Sequence, residues 1–276
     1  MQVIRRSQNV KKLKNFNFNS SLWIGFALAF LYLPLVVMAI FSFNDSKSLS
    51  SWSGFSLRWY QELFVNQQMI DAIVVSVSIA ILSTVISTIL GTITAIGISK
   101  SKPILRKIVL QVNNLPIMNP DIVTGIALML LFSFVKMEKG YLTMLLAHIA
   151  FCTPFVITNV LPKVRQLDAN LADAAMDLGA TPFQALTKVI IPQIKPGIIS
   201  GALLAFTMSF DDFIISYFVS GNGIENISII IYNMSKRTNP SIYALEEISF
   251  MLTRALSNEQ RYHIDDDTMG DYLLIF

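Results

Sequence analysis

The chain has almost nothing with which to staple, ligate or hydrolyse. A single cysteine, Cys152, among 276 residues excludes an internal disulfide. Its place in an apolar run gives it the role of a small buried hydrophobe. The two histidines, His148 and His263, stand far apart and lack the Cys or carboxylate spacing of a metal site, so no metal and no cofactor is expected. His148 reads as a polar residue bonded within a helical bundle. No G-x-x-x-x-G-K-[ST] stretch occurs, which excludes ATP hydrolysis by that route. No nucleophile–base pair stands out either, so no catalytic residue is expected. Charge is scarce: 14% of the residues are charged, against about a quarter in soluble domains. The net charge of +3 is small and gathered in particular loops, a pattern of membrane topology and not of nucleic-acid binding.

What is present is oil. Hydrophobic residues make up 53% of the chain, and mean hydropathy is +0.56. Five apolar runs, at about 22–43, 72–98, 122–135 (with a start near Pro116 as an alternative), 141–160 and 198–219, are each close to the length a helix needs to cross hydrocarbon. The expected fold class is therefore all-α, a polytopic membrane bundle with five clear spans. Basic residues set its orientation. Arg5, Arg6, Lys11, Lys12 and Lys14 precede the first span, Lys100, Lys102, Arg106 and Lys107 follow the second, and Lys163, Arg165, Lys188 and Lys195 follow the fourth. The other loops hold only Lys47 with Arg58, and Lys136 with Lys139. This alternation puts the N-terminus in the cytoplasm. The apolar run behind the basic tail is too long for a cleaved signal and lacks a small-residue cleavage site, so it is expected to stay as a span. The expected organisation is a cytoplasmic tail at 1–21, a membrane domain at 22–219, and an outer loop with a polar C-terminal tail at 220–276.

Between the fourth and fifth spans, residues 167–192 are polar, alanine-rich and punctuated. Gly179 is placed to end one helix in the left-handed conformation. Thr181, Pro182 and Gln184 supply the cap, first position and capping box of the next. Pro192 is expected to stop that second helix. The first outer loop carries Trp52, Phe55, Trp59, Tyr60 and Phe64. They suit either a short helix in the headgroup layer or an ordinary aromatic belt. The second span, rich in Ser, Thr, Gly and Ala, is expected inside the bundle, because small residues let helices approach closely.

Carboxylates within spans are costly and mark a pathway, a partner or a water-filled cavity. Asp211 and Asp212 lie about 20 Å along the expected fifth helix, with Ser209 and Tyr217 nearby. On such a helix one faces the lumen while the other meets a neighbouring helix. Pairing that merely holds helices together is the competing reading. Asp121, at the mouth of the third span, also suits a helix N-terminus, where the dipole is positive.

Asp173-Ala174-Ala175, Gly179-Ala180 and Val189-x-Ile191-Pro192 resemble the EAA motif of ABC importer permeases, with Asp for Glu, Val for Ile and Ile for Leu at matching spacing. Ser42-Phe43-Asn44, the segment from Trp52 to Tyr60, the segment from Pro120 to Gly125, Ser209 to Asp212 and Phe218 to Gly221 are similar to spermidine/putrescine permeases, most of all the subunit of the second type. The resemblance runs from about Trp23 to Ala244. It implies the type I importer fold with six spans, a bacterial inner-membrane location, and partners: an ATP-binding subunit, a second permease subunit, an extracytoplasmic binding protein and membrane lipid. It makes Asp173, Ala174, Ala175, Gly179, Ala180 and Pro192 the ATPase-coupling residues, and the chain itself a non-catalytic transport subunit. A polyamine path would then use Asp211, Asp212, Ser209, Tyr217 and Asp121. After about Leu245 the pattern departs: Glu246, Glu247 and Arg254 fall where a sixth apolar helix belongs. Another cargo (iron, phosphonate, sulfate or thiamine), a gradient-driven transporter, and a truncated remnant are the alternatives.

Overall fold

A computed structural model of the chain describes residues 2–46, 51–168, 170–235 and 244–255, with side chains from residue 22 onward. Tail residues beyond 255, including His263, lie outside the described residues. Among the described residues the regular elements are helical: α1 (Gln2–Phe41), α2 (Arg58–Val65), α3 (Gln67–Lys100), α4 (Pro103–Met118), α5 (Asp121–Phe134), α6 (Tyr141–Gln166), α7 (Leu171–Asp177), α8 (Pro182–Ala185), a π-helical turn (Leu186–Ile190), α9 (Ile191–Phe210), α10 (Ile214–Val219), α11 (Ile227–Ser235) and α12, residues 244–255.

Among the described residues, four stretches are long and apolar enough to cross a membrane: Leu22–Phe41 within α1, then α3, α6 and Pro182–Phe210. A fifth crossing exists only if α4 and α5 are taken together, and these meet at an angle of 109°. The elbow follows from Pro120, which pushes the preceding Asn119 into extended backbone (φ −82°, ψ 144°). The basic segment holding Arg106 and Lys107, expected as loop, is thus helical, begun by Pro103 at its first position.

The bundle centre is α3 against α6 and α9. Ser83, Ser87 and Ala95 on α3 are fully buried, as are Met144, Ala147, Val156 and Val160 on α6, and Ile194 and Ala205 on α9. The small residues of α3 work as expected: a Cβ placed on Gly91 would lie 2.6 Å from Val156 Cγ1. Cys152 is buried between α6 and α9, its thiol 3.4 Å from the Ala205 carbonyl. A second core gathers Trp59 and Leu63 of α2, Met69 of α3, Phe210, Ile227 and Ile230, and Ala244 with Leu245 of α12. The boundary expected at residue 219 is therefore crossed by packing, and α11 and α12 occupy part of what was read as loop and tail. The aromatic loop does form a short helix, but Trp59 and Leu63 turn inward and the Trp59 indole donates to the Asn44 carbonyl at 2.7 Å. Trp52, Phe55 and Phe64 stay exposed. In contrast, α1 stands off the bundle, with no residue of its most apolar stretch buried within the chain.

Candidate functional site

Two features carry the sequence-predicted residues. The first is the turn between α7 and α8. Gly179 adopts φ +89°. Its N–H donates to the Met176 carbonyl at 2.9 Å, and the Ala180 N–H to Ala175 at 3.1 Å. This 6→1 and 5→2 pair is the Schellman closure of a helix. Thr181 Oγ1 accepts from the Gln184 N–H at 3.3 Å, and Gln184 Oε1 from the Thr181 N–H at 3.0 Å, completing the capping box. The unit is stiff and juts out: Asp173, Ala174 and Gly179 are exposed, while Ala175 and Ala180 are half-buried. Sequence reasoning missed Leu178 and Phe183, which are 91% and 71% exposed. The available signal was two large apolar residues inside a polar stretch. Their exposure gives the turn an apolar tip with no cover from the described residues of this chain.

Pro192 does not end the second helix. Pro182–Phe210 runs on as one 29-residue stretch, with Pro192 exposed in its wall. The π turn before it provides the reason: the Ile191 N–H donates to Leu186, five residues back. The hydrogen-bond ladder thus widens just where proline would break an α-helical one.

The second feature is the break between α9 and α10. Asp211 and Asp212 do not sit on a continuous fifth helix; α9 ends at Phe210 and α10 begins at Ile214. Asp212 turns inward and caps α10, accepting from the Ile215 N–H at 3.2 Å and the Ser216 N–H at 2.7 Å. Its carboxylate is 3.5 Å from His148 Nε2. That imidazole reaches Ser209 Oγ at 2.6 Å and Ser216 Oγ at 2.9 Å. Asn226 donates to the Asp212 carbonyl and to Ser216 Oγ, at 2.8 and 2.9 Å. Ser209 continues to Ser83 of α3 at 2.9 Å. Five segments are thus tied through one polar chain, in which Ser209 is buried.

Asp211 turns the other way. It is exposed and accepts from Thr253 Oγ1 of α12 at 3.0 Å. It helps line a chamber of about 880 Å³ bounded by α1, α11, α12 and the break. Tyr217 is not part of that lining and instead joins an aromatic group, its ring 5.5 Å from Phe213 and 6.0 Å from Tyr232. Asp121 is exposed in the first turn of α5, also apart from the chamber. Among the described residues no group of three or more His, Cys, Asp or Glu side chains is arranged to hold a metal ion.

Both features lie inside the match to one family model, the binding-protein-dependent transport system inner membrane component, which covers residues 87–253. The chain belongs to this family. It is a multi-pass membrane permease by that membership, and the match extends past Leu245 to residue 253 in α12, beyond the point where the sequence pattern departs. This permease is 38% identical over 237 residues to the putrescine transport system permease protein PotI of Escherichia coli (strain K12), covering 81% of this chain and 82% of that one. It is 37% identical over 229 residues to the spermidine/putrescine transport system permease protein PotC of Haemophilus influenzae, covering 83% and 89%. Among solved structures, a bacterial ABC transporter involved in the import of the acidic polysaccharide alginate matches with TM-score 0.68, 15% identity and coverage of 95% and 99%. The MetNI methionine ABC transporter, in an inward-facing conformation, matches with TM-score 0.58, 16% identity and coverage of 74% and 99%. These two likenesses carry the fold: an ABC importer type I permease bundle.

Proposed function

We propose that this chain forms the membrane path of an ATP-driven polyamine importer, paired with a second permease subunit, an ATP-binding subunit and an extracytoplasmic binding protein. The observation that carries the reading is the identity of 37–38%, over four-fifths of the chain, with permeases named for putrescine and spermidine. The geometry supports each half of the task. The capped Gly179 turn presents a rigid cytoplasmic knob whose apolar tip, Leu178 and Phe183, fits a groove on the ATP-binding subunit. Asp173, Ala174, Ala175 and Ala180 keep the knob slim, and Pro192 lies in the helix that leaves it. At the other end of that helix, Asp211 offers the exposed carboxylate that a polycation would meet, while Asp212 and His148 hold the break in shape. The chain itself does no chemistry, and its N-terminus faces the cytoplasm.

The test is reconstitution of the four components in proteoliposomes with labelled putrescine and spermidine. The expected result is uptake that needs ATP and the binding protein and is stopped by vanadate. Uptake driven by an ion gradient and indifferent to vanadate would overturn the ATP-driven reading, and uptake of no polyamine would overturn the cargo.

A further inference from the structure

The chamber beside Asp211 has a wall whose residues the coupling and capping roles leave unexplained. Glu246 and Glu247 of α12 line it together with Asp211, and the only cation among the described lining residues is Arg254. With all three carboxylates ionised against one guanidinium, the lining would be two charges negative. Glu246 Oε2 is buried yet has no hydrogen-bond partner among the described residues. An ammonium bound in the chamber would supply that oxygen with a donor. The α9 helix also ends at this wall, adding the negative end of its dipole. The rest of the lining is chiefly aromatic and aliphatic, with Tyr32, Phe213, Tyr232 and Phe250 as the large rings and Ser228, Ser235, Ser249 and Thr253 as hydroxyl residues. Phe213 and Tyr232 pack with centroids 4.7 Å apart. The wall already takes a cation over a ring face, since the Arg254 guanidinium carbon lies 5.8 Å from the Phe250 centroid.

Carboxylates and ring faces in one lining match one ligand chemistry: a flexible aliphatic chain with a primary ammonium at each end. The ammonium groups take the carboxylates, and the methylenes lie on the rings. A simple metal cation would leave the aromatic faces unused, and an amino acid would set its own carboxylate against three others. The arrangement also accounts for the charges in α12. Ala244 and Leu245 anchor that helix in the second core, and the glutamates line the chamber, an inward-facing setting in which such residues are tolerated in membranes.

We infer that this chamber is a binding site for extended di- and triamines, with Glu246 and Glu247 as specificity-determining residues alongside Asp211. The inference rests on the polyamine reading above. It is tested on the assembled complex of both permeases and the ATP-binding subunit, without binding protein or ATP, by equilibrium binding of labelled putrescine and spermidine. Wild type should bind saturably. E246Q/E247Q should weaken binding roughly ten-fold, more for spermidine than for putrescine, because the loss scales with ligand charge. Y232L should weaken both by a similar factor, as it removes a ring face and no charge. Elution of each variant at the position of the intact complex reports its assembly, and E246D with Glu247 intact should recover most of the affinity. Uptake by wild type separates the two readings. If wild type imports polyamines but shows no saturable binding, or binds them as well after E246Q/E247Q, the chamber assignment is overturned and the cargo stands. If wild type imports none, the cargo reading falls and the chamber with it.

Discussion

Asp211 and Asp212 are neighbours with opposite surroundings, so their asparagine variants should fail in different ways. Asp212 uses both carboxylate oxygens, one on the Ile215 N–H at 3.2 Å and one on the Ser216 N–H at 2.7 Å. In Asp212→Asn the side chain keeps one carbonyl oxygen, and its NH2 would face a backbone donor. One buried N–H is then orphaned, which costs about 1–3 kcal/mol, and the contact to His148 at 3.5 Å is weakened as well. Asp211→Asn keeps an acceptor for Thr253 and sits at an exposed position, so its cost should stay under about 0.5 kcal/mol. Thermal unfolding of the detergent-solubilised complex would read the difference: several degrees lower for Asp212→Asn, unchanged for Asp211→Asn. Uptake should be reduced in both, but only Asp211→Asn should lose it at wild-type stability. Combining Asp212→Asn with His148→Ala should be clearly less than additive, since both act through one network. Equal melting temperatures for the two single variants, or strict additivity of the pair, would refute the division of roles.

At the Gly179 turn, Gly179→Asp should abolish ATP-dependent uptake if the turn couples to the ATP-binding subunit, while membrane insertion, followed by protease protection, stays intact. A Cβ at Gly179 meets no atom within 4 Å, so the damage is the left-handed backbone alone, about 1–2 kcal/mol confined to the turn. Leu178→Ser with Phe183→Ser should leave melting unchanged and lower co-purification of the ATP-binding subunit. In the loop after α10, Gly221→Ala should lower the melting temperature markedly, because the residue has φ +74° and its Cβ would stand 2.5 Å from the Lys139 carbonyl oxygen. Gly91→Ala should cost about 1–3 kcal/mol by forcing α3 off Val156 of α6, seen as a lower melting temperature.

Legibility in the sequence followed the range of the interactions. Gly179, Thr181, Pro182 and Gln184 act within five residues, so helix end, turn and capping box were all readable. Small residues on α3 announced a buried helix because packing in a bilayer selects for them. Pro192 misled because its local effect, loss of one donor, is absorbed by a π turn that no residue pattern announces. The break at Asp211 was hidden for a different reason. Its stability comes from His148, Ser83 and Asn226, which are brought in from three other segments, and a continuous apolar run gives no sign of them. The glutamates of α12 read as a failed span because charge was weighed against hydrocarbon. The chamber that receives them is made by α1 and α11 and exists only in the fold.

The correction at Pro192 changes how the two ends of the permease relate. Had the helix stopped there, the coupling turn and Asp211 would belong to separate elements. As built, Thr181 caps one end of a 29-residue stretch and Asp211 closes the other. At 1.5 Å per residue the stretch is about 43 Å long, and a tilt of about 5° at its base moves the far end by roughly 4 Å. It cannot tilt alone, because Gly201 lies against α6 (its Cβ position is 3.2 Å from Val156 Cα) and His148 of α6 grips both sides of the break. The pair α6 and α9 must therefore move as one body. Of the chamber walls, α1 has no such grip, being unburied along its most apolar stretch, whereas α12 is held in the second core by Ala244 and Leu245 and meets the break through the exposed Thr253–Asp211 bond. A push at the turn would thus be spent where the structure yields, on the α1 side of the chamber, while the polar chain behind Asp212 stays fixed.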